Sequence, residues 1–133
     1  MITITRSDLR RTLGLVCILL SAGLLLGAAS SSPWAKISAK DHARTSPLTS
    51  RPDSIPAGAL LYKDNCAQCH KADATGDGHK KPGLRTDRIK SASDGDLEWF
   101  LRQGDIAHGM PSWSRLPEAQ RWQLIAYLRS IQQ

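Results

Sequence analysis

From Ala57 to Gln133 the chain offers 77 residues and only a handful of large apolar side chains. A domain below about 80 residues seldom builds an adequate core without some form of staple. Disulfides do not supply one. Of the three cysteines, Cys17 lies inside an apolar N-terminal run, and Cys66 and Cys69 alone make no disulfide framework. Something bulky and apolar must complete the interior. The stretch Cys66-Ala67-Gln68-Cys69-His70 is where the chain has the chemistry to fasten it.

The ends of the chain differ in character. Arg6, Arg10 and Arg11 precede an uncharged run from Thr12 to Ala29, and Ser and Ala follow. That order of regions is a secretory signal's, with Gly27-Ala28-Ala29 as a small-residue cleavage site. The run is also near the lower limit for spanning a bilayer. Residues 1–29 therefore read as a signal peptide or an uncleaved membrane anchor, with a tether through residues 12–29 in the second case. Either way the rest is expected outside the cytoplasmic membrane, in the periplasm, soluble or tethered. The net charge of +6 is partly that basic lead, and the remaining basic residues are dispersed. No block of like charge points to nucleic acid.

Within residues 30–56, the stretch Lys36 to Pro56 carries Pro47, Pro52 and Pro56 among many Ser and Thr. Such a segment cannot bury enough surface to fold alone, and it reads as a flexible linker with a reach of about 25 Å. Its His42 is expected to be an exposed surface histidine. Residues 57–133 show three helical patterns. The first runs into the cysteines with Leu60, Leu61 and Tyr62. The second opens at Ser93, three before Asp96, and stops at Gly104, with Leu97, Phe100 and Leu101 at i, i+3, i+4. The third follows Pro117 with Leu124, Tyr127, Leu128 and Ile131 on one stripe. No segment alternates as a strand does, so the expected class is all-α.

Three chemistries use the CAQCH pattern. A redox dithiol belongs near a strand–helix junction, and no strand is readable here. A structural zinc site needs four ligands, and no second cysteine pair exists. Covalent haem attachment needs only what is present: two thiols that add to haem vinyl groups and an imidazole placed to bind iron. The expected cofactor is one haem c, held by Cys66 and Cys69 with His70 on the metal.

A second axial ligand is sought C-terminally among Met110, His79 and His108. Core methionines normally sit on a helix's apolar face, whereas Met110 sits in the loop "HGMPSW". Met110 is the expected ligand. "DATGDG", Asp73 to Gly78, copies the start of a calcium loop, but Leu84 stands where the closing Glu belongs. It reads as a turn.

With these residues in view, Gly58 to Ile131 resembles a small monohaem class I c-type cytochrome. CAQCH with a downstream "GMPSW" is a specific combination. Gly58 and Tyr62, eight and four residues before Cys66, match that family's first helix, and "LIAYLRS" matches its last. The resemblance implies that these two helices cross at the glycine. It also implies that the Pro82 carbonyl partners His70 Nδ1 and that Leu84 forms a haem wall. Trp99 and Phe100 would line the crevice, and Trp113 would lie near a propionate. The function implied is single-electron transfer between redox-partner proteins, with no small-molecule substrate. Lys80 and Lys81 would favour an acidic partner. Two alternatives stand beside a free carrier: the electron-accepting cytochrome subunit of a dehydrogenase or oxidase complex, and a haem enzyme with an open sixth position.

Overall fold

A computed structural model describes residues 32–132. The signal or anchor reading of residues 1–29, and Cys17 with it, lies outside the described residues. In chain order the α-helices are α1 (Ala39–His42), α2 (Ile55–Asn65), α3 (Ala67–His70), α4 (Asp87–Ser91), α5 (Asp94–Gln103) and α6 (Glu118–Ser130). Single 3-10 turns occur at Pro33–Lys36, Pro52–Ser54 and Ile106–His108. Among the described residues there is no strand, only an isolated antiparallel bridge between Asp105 and Met110. The fold is all-α. No helix among them is long and apolar enough to cross a membrane.

Local chemistry sets the helix ends. Ser93 Oγ accepts the Asp96 N–H at 3.1 Å, and Asp96 Oδ2 accepts the Ser93 N–H at 2.9 Å. This reciprocal box starts α5. The helix closes where the Gly104 N–H donates to the Phe100 carbonyl. Pro56 sits in the first turn of α2, where its missing N–H costs nothing. The remaining helices are too short to persist alone in water, so packing holds them.

The most extensive of those contacts joins α2 to α6. Gly58 makes it close: a β-carbon there would fall on the backbone carbonyl of Gln123. One turn on, Tyr62 is buried and tilted against Tyr127 at 5.1 Å between ring centres. Gly58 and Tyr62 thus share the face turned to α6. Leu60, two residues from each, points away and is 63% exposed. Around the crossing, Leu97 and Leu101 of α5 meet Trp122, Leu124, Ile125 and Leu128 of α6 in one apolar cluster.

Residues 33–56 differ from the expected flexible linker. They belong to the same compact unit as the rest and strap across α5. Trp34 lies 4.2 Å from Phe100, ring centre to ring centre, with the Arg88 guanidinium 4.2 Å over the Trp34 ring. His42 is largely exposed, yet its Nδ1 lies 2.9 Å from Asp96 Oδ1. Gly95 admits the strap, because a β-carbon there would strike the Asp41 carbonyl. Arg44 reaches Glu98 Oε2 at 2.5 Å and Glu118 Oε1 at 2.6 Å, and Arg102 holds Asp41 at 2.6 Å.

Glu98 is the physical reason for this docking. Its side chain is fully buried in α5, and an unpaired buried carboxylate costs several kcal/mol. Three arginines neutralise it: Arg121 from α6 at 2.9 Å, Arg102 from its own helix at 3.3 Å, and Arg44 from the strap. Composition argued that the segment had too little apolar surface to fold alone. It folds because it brings a cation, a tryptophan and hydrogen bonds to a surface already formed.

Two outcomes follow for stability. Gly58→Ala forces α2 from α6 and is expected to cost about 1–3 kcal/mol, read from a denaturant melt. The strap responds to acid. Burial works to raise the Asp96 carboxyl, but hydrogen bonds from His42 and Ser93 outweigh it and hold the group below its ordinary value. Asp41 is likewise lowered, first by the Ser38 hydroxyl and then by Arg102. Groups lowered in this way contribute stability above about pH 4, lost as pH falls through their folded-state values. Limited pepsin digestion near pH 3 is therefore expected to cut within residues 33–54 before it cuts α5 or α6.

Candidate haem site

The α2 helix ends at the first cysteine. Cys66 leaves helical geometry, and its carbonyl then accepts the N–H groups of Cys69 at 3.0 Å and His70 at 2.9 Å. That single turn is α3, and it sets two free thiols and an imidazole in sequence, with Cys66 half-buried and Cys69 exposed. Burial, aided by Cys69, pushes the Cys66 thiol up to about 11. It is protonated at neutral pH, unlike the low-pKa cysteine of a working dithiol.

His70 Nδ1 lies 2.8 Å from the Pro82 carbonyl. A carbonyl only accepts, so Nδ1 carries the proton and the lone pair is left on Nε2. An imidazole held in that tautomer is a metal ligand of raised basicity. Leu84 follows, half-buried, with its N–H donated to the Ala74 carbonyl at 2.8 Å.

Met110 belongs to a second loop. Asp105 and Met110 exchange both backbone hydrogen bonds, at 2.8 and 2.9 Å, around the turn Ile106–Gly109. The two loops meet: a β-carbon at Gly109 would stand 3.6 Å from Lys81 Nζ. The side chain next to Pro82 in sequence thus reaches toward the glycine next to Met110. Met110, Leu84, Cys66, Ala67 and Leu61 are all partly buried against the same core. His108 is turned to Asp105 Oδ2 at 2.8 Å, and its ring is largely exposed. His79 lies in an exposed turn whose carboxylates are occupied: Asp77 accepts the N–H groups of His79 and Lys81, and Asp73 accepts that of Thr75.

The aromatic residues divide. Trp113 is buried, anchored by its N–H to the Leu101 carbonyl, with the Arg115 guanidinium 4.2 Å over its ring. Trp99 and Phe100 are half-buried, 5.3 Å apart edge to face, and Phe100 also carries Trp34 of the strap. The roles of Trp34, of the Asp105 bridge and of Arg115 had no signal in the sequence. Gly104 and Gly109 bracketing the methionine loop were the nearest thing to one.

Free paired thiols, an imidazole with Nε2 available and an apolar, half-covered surround fit a covalently bound haem. Fold and site together define a c-type cytochrome domain, which binds haem c and transfers single electrons. Comparison with known proteins gives its place. The family model described as cytochrome c oxidase, cbb3-type, subunit III, matches residues 53–128, and the chain belongs to that family. It is 31% identical over 84 residues to the Cbb3-type cytochrome c oxidase subunit FixP of Rhizobium meliloti (strain 1021). That alignment covers 62% of this chain and 29% of the relative. No solved structure matches it.

Replacing Cys66 and Cys69 together by Ala is expected to abolish covalent haem, seen as loss of haem staining on a denaturing gel. Because haem supplies the missing interior, the same variant is expected to lose its cooperative thermal transition.

Proposed function

We propose that this domain is a low-spin electron carrier in which His70 and Met110 are the two axial ligands and Cys66 and Cys69 the covalent attachments. The observation that carries the proposal is the His70 Nδ1–Pro82 hydrogen bond, which leaves Nε2 for a metal, with Met110 held within its own loop by the Asp105 bridge. Haem c supplies the reversible one-electron change between Fe(II) and Fe(III). His70 would donate Nε2, with its orientation set by Pro82. Met110 would supply the second ligand, its thioether favouring the ferrous state and raising the potential relative to two imidazoles. Filling both positions leaves none for a substrate, which argues for a carrier and against a haem enzyme.

Leu84, Trp99, Phe100 and Trp113 serve in this reading as apolar surround, excluding water from the site. A docking face would lie beside the methionine loop, where Ile106 is 72% exposed and Lys80 and Lys81 stand on the adjoining loop. An apolar contact with a basic edge suits an acidic partner. The oxidase membership favours a second statement: the domain acts as the haem c subunit of a larger oxidase, outside the cytoplasmic membrane, and receives or passes electrons there. Co-purification of a stoichiometric partner would support a subunit over a free shuttle.

Met110→Ala is expected to keep covalent haem, lower the midpoint potential and admit cyanide readily. The near-infrared thioether charge-transfer band of the ferric protein should vanish. An unchanged spectrum would pass the ligand role to His108 or His79.

A further inference from the structure

The residue after His70 has an unusual backbone. Lys71 adopts φ 63° and ψ 161°, a region that residues with a β-carbon rarely enter and that glycine occupies freely. Its carbonyl accepts two hydrogen bonds, from the Tyr62 hydroxyl at 2.8 Å and the Ala74 N–H at 3.1 Å. The His70 carbonyl next to it accepts the Gly76 N–H at 3.0 Å. Lys71 therefore sets the direction in which the chain leaves His70, and that direction decides whether the loop returns Pro82, twelve residues on, to His70 Nδ1.

We propose that Tyr62 is a positioning residue for the haem-ligating histidine: its hydroxyl clamps the strained Lys71 peptide and thereby keeps His70 aligned on Pro82. The inference rests on His70 being an axial ligand. The clamp is rigid at its far end. Tyr62 is 2% exposed, projects from the α2 face that crosses α6 and is backed by the Tyr127 ring. Burial pushes its phenol well above the ordinary range, which keeps it a donor at neutral pH. Without the hydroxyl, Lys71 can relax toward negative φ, carrying the His70 main chain with it. The Nδ1–Pro82 hydrogen bond would then lengthen. A less basic imidazole stabilises the ferric state less, and the potential would rise.

Three variants of the holoprotein test this. Tyr62→Phe keeps the ring in its packing and is expected to shift the midpoint potential upward, with a change in the ferric ligand-field spectrum. Lys71→Gly adopts the same backbone without strain, and is expected to leave the potential unchanged while raising the melting temperature. The double variant is expected to return the potential to the wild-type value, because glycine no longer needs the clamp. A Tyr62→Phe protein with a lowered melting temperature but an unmoved potential and spectrum would overturn the proposal. So would a double variant whose potential stays shifted. If Tyr62→Phe takes up no haem, the double variant must recover uptake, and failure to do so is equally fatal. The wild-type ferric spectrum tests the His70 ligation reading by itself, independently of these differences.

Discussion

The approach of α2 to α6 at Gly58 is the contact on which the other arrangements rest. Two backbones meet there with no side chain between them, so the crossing cannot slide without a steric clash. Close approach turns Tyr62 inward, and Tyr62 reaches past the end of its helix to the peptide after His70. The crossing also presses Leu124, Ile125 and Leu128 against Leu97 and Leu101, which fixes α5. From the end of α5 the chain turns through Gly104 into the loop of Met110. The loops that carry His70 and Met110 thus both depend on one interhelical contact, through different routes.

Electrostatics adds a second, independent constraint. A carboxylate placed wholly inside a small domain is tolerated only with hydrogen-bonded partners, and Glu98 has three. Arg121 also donates to the Leu116 carbonyl, and Arg44 also holds Glu118, whose carboxylate accepts the Trp122 indole N–H. Such a network has directional requirements that an apolar contact lacks. It specifies where α5, α6 and the strap must sit relative to one another, whatever its net contribution to stability.

What could be read in the sequence was local. Ser93-x-x-Asp96 names both partners of a bond three residues apart, so the start of α5 was legible, and Gly104 gave its end. The stripe of Leu124 and Leu128 marked α6, though not the buried Arg121 within it, because periodicity scores a cation as surface. CAQCH was legible as an attachment pattern, since attachment demands particular atoms at a particular spacing, and the methionine in a Gly-Met-Pro loop pointed to the ligand proposed above. The strap was not legible. Its decisive contacts, His42 with Asp96 and Arg44 with Glu98, each span 54 residues. Composition reports whether a segment can form a core of its own, and is silent on whether it can complete someone else's. The strain at Lys71 was hidden for a related reason: a backbone angle enforced by a distant hydroxyl leaves no mark on the residue that bears it.

The strap also determines how force enters the molecule. Chain tension applied ahead of Pro33 does not arrive first at α2, although α2 is the next long helix in the sequence. It is delivered sideways onto α5, through Trp34 on Phe100 and through Arg44 on Glu98. The helix leading into Cys66 and His70 is shielded from that pull by the intervening contacts. The strap thus stands between the N-terminal side of the chain and the helix that leads into Cys66.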